Sequence, residues 1–317
     1  MASAPPVELD AQYRQLREEV GLLLREDRGL LVVSGPDAAD YLQGQLTNDI
    51  EALTPGEGCY AVLLDRKGHM QADMRVLAVD AEKIWIDTEP EALAATKRHL
   101  EMYKIGRDAD VVDAGAERAI VSLIGPRSAE LSGAPPLPEN RHAEIAIDGI
   151  ECPAVGASFG IDLIPHAEDR ERLIAALEAA GAPQVTPEAV EILRIESGAP
   201  RFGSEMDTAT MPAEAGIVER AVSFTKGCYI GQETVARLHY KGKPNRHLRG
   251  LRLSALADPG TPLQLGEKEV GKLGGSCVSP VLGPIALAIV RREAEPGAEL
   301  RLGEDGVTAR VVDLPFG

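Results

Sequence analysis

Aromatic side chains are scarce in this chain, at 3% of 317 residues, and only one of them is a tryptophan. Its cores must therefore be built from Leu, Val, Ile and Ala, and each of the few rings becomes a candidate for ligand contact. Cysteine is also rare. Cys59, Cys152, Cys228 and Cys277 lie far apart and form no C-x-x-C pair, which excludes a zinc knuckle, a dithiol redox motif and a disulfide framework. No apolar run approaches the roughly 20 residues that cross a bilayer. The stretch Met1 to Asp10 is acidic and proline-bearing, unlike a secretory signal, so a cytoplasmic protein without membrane contact is expected. Positive charge is in deficit as well: a net charge of −17 opposes nonspecific nucleic-acid binding, which needs a basic face. Neither a P-loop, nor G-x-G-x-x-G, nor H-E-x-x-H is present, no metal-ligand set stands out, and there is no internal repeat.

What is there suggests two or three compact units, because the chain exceeds a typical single domain and 44% of it is hydrophobic. Apolar spacing predicts a helix over 9–26, a strand over 29–34 and a helix opening at Pro36-Asp37. Strands are expected over 60–65, 70–79 and 83–87, followed by an amphipathic helix over 91–103. A second series has strands over 119–124, 144–147 and 159–164 and helices over 168–180 and 187–197. From Lys243-Pro244 onward, short apolar stretches separated by Gly and Pro predict a small antiparallel barrel. The expectation is an α+β body over 1–243 and a β-barrel domain over 244–317.

Gly156-Ala157-Ser158-Phe159-Gly160 matches the hydrolase pattern G-x-S-x-G, but a nucleophile elbow needs a helix after the serine. Here Ile161 to His166 reads as strand and turn, so the match is accidental. The acid-free run holding Arg237, Lys241, Lys243, Arg246, Arg249 and Arg252 reads either as a solvated loop or as an anion-binding strip. Glu196, near a predicted helix end and two residues before Gly198, can project into a cavity and accept adjacent N–H groups of a flat heterocycle, or pair with Arg194 or Arg201. The most informative stretch is Lys226-Gly227-Cys228-Tyr229-Ile230-Gly231-Gln232-Glu233. A thiol set among glycines and polar groups, beside a lysine that favours the thiolate, is placed to react rather than to pack.

This octapeptide resembles the K-G-C-Y-x-G-Q-E signature of the YgfZ family of folate-binding proteins. Leu193 to Gly203 is similar to the L-R-x-E-x-G-x-P-x-x-G segment that this family shares with the aminomethyltransferase (T-protein) of the glycine cleavage system. Tyr41 to Asp49 resembles the family's Y-L-Q-G-Q-x-T-x-D block. The resemblance implies a three-subdomain cloverleaf of the aminomethyltransferase type, with two intertwined subdomains in the body and a C-terminal β-barrel. It implies a monomer that binds tetrahydrofolate and supports assembly or repair of iron–sulfur clusters, with iron–sulfur proteins or assembly factors as partners. Cys228 would be the working thiol and Glu196 the pterin contact, with Tyr229 and Gln232 also in the folate site; Lys226 and Arg237 are candidates for the glutamate tail. Asp73 ends a D-R-K-G-H-M-Q-A-D run where aminomethyltransferases resemble G-G-x-x-D-D. Ala72 replaces the other acid of that pair, which leaves open whether any reaction is catalysed. The alternative is a folate-dependent aminomethyltransferase or demethylase in which Asp73 is the functional acid.

Overall fold

The computed structural model describes residues 6–303 and 306–316; residues 1–5, which open the acidic N-terminus, and Gly317 lie outside the described residues. Contacts divide the chain into two units. Unit 1 combines the chain up to Leu64 with Gln71–Pro187 and Arg220–Ile230, and unit 2 combines Asp65–Met70, Glu188–Glu219 and Gly231–Gly317.

Unit 1 opens with α1 (Pro6–Glu18), β1 (Gly21–Leu24), β2 (Gly29–Ser34), α2 (Ala38–Gln45), β3 (Gly58–Leu64), β4 (Met70–Asp80), β5 (Lys83–Thr88), α3 (Pro90–Tyr103) and β6 (Asp110–Asp113). It continues with β7 (Val121–Ile124), α4 (Ser128–Ser132), β8 (His142–Ile147), β9 (Ile150–Ala157), β10 (Gly160–Leu163) and α5 (Arg170–Ala179). Two five-stranded sheets result, in the orders β3-β4-β5-β2-β6 and β1-β7-β10-β9-β8. Leu173, Ile174 and Leu177 lie on one face of α5 and join Leu22, Val121, Leu123, Ile161 and Leu163 in one core. A second core takes Leu30, Leu77 and Trp85 from one sheet and Val155 from the other, so both sheets are fastened by the same buried apolar surface.

Two departures from the sequence reading lie here. The helix expected over 9–26 ends at Glu18, and residues 21–24 form β1 instead. Val20, Leu22 and Leu23 are all buried, a continuous apolar run that suits a strand covered on both faces, and a side chain at Gly21 would meet Leu16 and Val185 at 2.6 and 2.7 Å. Strand β9 was not expected either; it forms a hairpin with β10, in which Ala157 pairs with Gly160. Ser158 therefore sits in a β-turn, its hydroxyl donating to Glu139 at 2.9 Å, and no nucleophile elbow exists there.

Unit 2 draws on α6 (Pro187–Ser197), the first residues of the short α7 (Val218–Ala221), α8 (Gln232–Lys241), β11 (Arg246–Leu253), β12 (Pro262–Leu265), β13 (Lys268–Lys272), β14 (Ser276–Ser279), β15 (Gly283–Arg291), β16 (Glu299–Leu302) and β17 (Val307–Val312). The strands run β11-β17-β16-β12-β13-β15, and β15 pairs back with β11, closing a six-strand barrel with β14 attached outside on β15. The α+β fold with a C-terminal barrel is thus as the sequence indicated. Its interior is Leu251, Leu263, Ala286, Ala288, Val290, Leu300 and Val311, apolar positions alternating along the strands. Among the described residues no helix is long and apolar enough to cross a membrane.

Candidate functional site

In unit 1 the candidate acid, Asp73, lies in the middle of β4. Alternation along the strand puts Gln71, Asp73 and Arg75 on one face and the buried Ala72 and Met74 on the other. The Tyr60 hydroxyl donates to Asp73 Oδ2 at 2.6 Å, and Thr88 Oγ1 donates to the Asp73 carbonyl at 2.6 Å. Asp73 Oδ1 is buried and accepts no hydrogen bond, in a residue only 8% exposed. Burial pushes this carboxyl's pKa up and neighbouring Asp87 adds to that, against the Tyr60 hydrogen bond and the Arg28 charge. A buried acceptor without a donor is costly to keep, and a donor from a bound molecule or an ordered water would relieve that cost.

Beside it lies a charge network that the sequence reading missed. Arg28 Nε donates to Asp87 Oδ1 at 2.7 Å and Arg75 Nε to Asp87 Oδ2 at 2.6 Å, while Arg75 Nη1 reaches Asp162 on β10 at 2.6 Å. Ser122 Oγ donates to the other oxygen of Asp162. Burial alone would raise Asp87, but the two guanidiniums outweigh it and hold the pKa at about 2. The signal was present in Ile86-Asp87-Thr88 and Ile161-Asp162-Leu163, where one carboxylate interrupts an apolar strand and so requires a buried partner.

The octapeptide and the Tyr41 to Asp49 block, distant in sequence, meet within unit 1. Lys226 Nζ donates to the carbonyls of Gln43 at 2.6 Å, Leu46 at 2.7 Å and Asn48 at 2.7 Å. An ammonium has three donors, so all are engaged inside the chain. Thr47 Oγ1 adds a bond to the Ala221 carbonyl at 2.6 Å, and Ser223 N donates to the Thr47 carbonyl at 3.0 Å. The Tyr229 ring lies 5.2 Å from Lys226 Nζ, and burial raises its phenol to about 12. Cys228 is exposed, in the irregular stretch before Gly231. The other thiols are more enclosed: burial pushes Cys59 up to about 12, Cys152 to about 11 and Cys277 to about 12. The charge of Lys226 acts on Cys59, whose pKa it lowers in part.

In unit 2, Glu196 lies in the last turn of α6, half-buried, and accepts the Ser279 hydroxyl at 2.5 Å. Its two sequence-level competitors are engaged elsewhere: Arg194 binds Glu191 and the buried Glu205, and Arg201 reaches Glu191. Gln232 and Arg237 both belong to α8. Gly231 precedes this helix at φ +84°, a left-handed conformation that strains any residue with a side chain. Arg237, Tyr240 and Lys241 lie on one exposed stripe of α8, at helical spacing. Lys243 lies in the short connection after α8, and Arg246, Arg249 and Arg252 belong not to a loop but to β11, where Arg246 pairs with Glu214 at 2.7 Å and Arg249 with Asp313 at 3.4 Å. Among the described residues no group of three or more His, Cys, Asp or Glu is arranged to hold a metal ion.

Comparison with known proteins extends this picture. The profile of the GCVT N-terminal domain matches residues 7–226. An aminomethyltransferase of Rubrobacter xylanophilus is 27% identical over 97% of this chain and 86% of its own length. A putative chloroplastic transferase of Arabidopsis thaliana is 29% identical over 91% of this chain and 69% of its own length, and an uncharacterized protein of Haemophilus influenzae is 26% identical over 90% and 95%. In structure, the glycine cleavage system aminomethyltransferase T of Bartonella henselae superposes with a TM-score of 0.88 at 22% identity, covering 100% of this chain and 91% of that one. The fold is of the aminomethyltransferase type.

Proposed function

Since the chain belongs to the GCVT N-terminal domain family, we propose that it is a tetrahydrofolate-binding protein of the YgfZ kind, supporting iron–sulfur cluster assembly or repair through Cys228. The observation that carries this reading is the contrast among the thiols. The one cysteine inside the complete K-G-C-Y-x-G-Q-E stretch is exposed, while burial raises the pKa of each of the other three. A single thiol cannot hold a cluster, which takes about four ligands. The cluster and its client protein are therefore substrates to which Cys228 contributes one transient ligand or redox contact.

For folate, the fit rests on Asp73: its buried, unpaired Oδ1 can accept an N–H from a bound heterocycle. Bound tetrahydrofolate supplies one-carbon chemistry. Glu196, Tyr229, Gln232 and Arg237 are candidate contacts through the resemblance of their segments alone, Glu196 for ring N–H groups and Arg237 for the glutamate tail. Lys226 has no donor left for a tail and instead fastens the segment that bears Cys228.

The orphan oxygen of Asp73 also favours a second reading, an enzyme moving a one-carbon unit onto tetrahydrofolate with Asp73 as its acid. Calorimetric titration with tetrahydrofolate, paired with aminomethyl-transfer assays of the Cys228→Ala and Asp73→Ala variants, separates the two. The first reading expects saturable binding, no transfer activity, and loss of iron–sulfur enzyme maturation in Cys228→Ala cells. Transfer activity that survives Cys228→Ala and vanishes in Asp73→Ala establishes the second. Failure to bind tetrahydrofolate at all overturns both.

A further inference from the structure

Apart from all of these groups, unit 1 carries a cleft of about 690 Å³. Its floor is apolar, formed by Val32, Val79 and Trp85, the last only 5% exposed. Over the Trp85 ring lies the Arg118 guanidinium, 5.2 Å from the centroid. That guanidinium makes one long hydrogen bond, to the Ile164 carbonyl at 3.4 Å, and among the described residues no carboxylate stands within ion-pair distance of it. Most of its five N–H donors are thus held over the floor without an acceptor. The rim has the opposite character. Glu117, Glu144 and Glu151 line the same cleft, are exposed, and have no cation within ion-pair distance among the described residues. The other two cations of the lining are already matched, Lys83 with Asp80 at 3.5 Å and Arg172 with Asp169 at 2.8 Å.

We propose that this cleft binds a zwitterion of the amino-acid class, a free amino acid or a short peptide. The arrangement asks for both charges on one molecule. A carboxylate meets the planar fork of Arg118 in a bidentate pair, an ammonium answers the unmatched rim glutamates, and an apolar side chain covers the floor. An anion alone would face the glutamates without compensation, and a cation alone would be repelled by Arg118. The volume lies within the range of small-molecule sites and accommodates a dipeptide more fully than a single amino acid.

Trp85 is the chain's only tryptophan, so selectively excited emission reports on this cleft in the full-length protein. L-Phenylalanine and L-leucyl-L-leucine should each change that emission saturably, with matching heat in calorimetry. The single-charge analogues 3-phenylpropionate and 2-phenylethylamine should bind at least roughly tenfold more weakly than L-phenylalanine, the scale of one lost charge-assisted contact. Replacing Glu144 and Glu151 together by Gln, exposed positions that leave the fold intact, should weaken L-phenylalanine but not 3-phenylpropionate. Arg118→Gln should weaken L-phenylalanine but not 2-phenylethylamine, whose ammonium no longer meets a like charge. The proposal is overturned if neither zwitterion gives a saturable response by either method, or if one of the single-charge analogues binds as tightly as L-phenylalanine.

Discussion

Cys228 and Asp73 have surroundings that make opposite demands on a side chain. For Cys228 the relevant property is access. The thiols at 59, 152 and 277 are held up at about 12, 11 and 12 by burial, so brief iodoacetamide treatment read by mass spectrometry should label Cys228 first. If Cys228 proved the slowest of the four, it would be a packing residue and the iron–sulfur reading would lose its chemical group. Asp73 is instead defined by burial, which raises its folded pKa above that of the unfolded chain. A carboxyl raised in this way favours the folded state at low pH and penalises it as pH climbs past the unfolded value towards the folded one. Asp73→Asn should therefore raise the urea midpoint at neutral pH while weakening tetrahydrofolate binding. A variant destabilised at neutral pH would show that the carboxylate is there for structure.

At the level of elements, the loop before α8 is fastened by a lysine rather than by secondary structure. Lys226→Ala leaves three carbonyls without their donor and should cost about 2–3 kcal/mol in chemical denaturation, taking together the desolvation of those groups. Gly231→Ala forces a side chain into φ +84° and should cost about 1–2 kcal/mol, seen as faster amide exchange in α8. Apolar spacing made β2, β4, β5, α3, α6 and the barrel legible in the sequence, because α3 and α6 repeat apolar residues at helical spacing and the strands are apolar runs bounded by turn residues. It failed at β1, where Val20 to Leu23 is covered on both sides and a buried strand cannot be told from a continuing helix. The octapeptide marked its thiol plainly, yet nothing local showed that Lys226 would bind the backbone of the 43–48 stretch. That pairing is tertiary, and no spacing rule encodes it. Tyr60 and Arg75 were equally hidden, since each is ordinary until the strands align, whereas Asp87 was marked as a carboxylate inside an apolar strand.

Taken as a whole, unit 1 is held by an apolar core and by charge together. Asp87, fully buried and kept at about 2, contributes stability above its unfolded value near 3.8 that is lost as pH falls through that range towards 2. The shift corresponds to about 2–3 kcal/mol. Asp87→Asn should cost about 2–3 kcal/mol at neutral pH, because Arg28 and Arg75 lose the carboxylate they share while keeping Glu89 and Asp162 respectively, and its urea midpoint should lose most of this acid dependence. A wild-type midpoint that stayed flat between pH 4 and pH 2 would show that the network is not what stabilises the pair of sheets. The order in which the chain is made adds a condition of its own. Each unit is assembled from three separate stretches, and the last piece of unit 1 is Arg220–Ile230. Lys226 leaves the ribosome 183 residues after the Gln43 carbonyl it caps. Until then a nascent chain holds both sheets' strands with that turn still open, so the segment carrying the exposed Cys228 is also the one whose arrival completes the first unit, and a polypeptide released early would lack both.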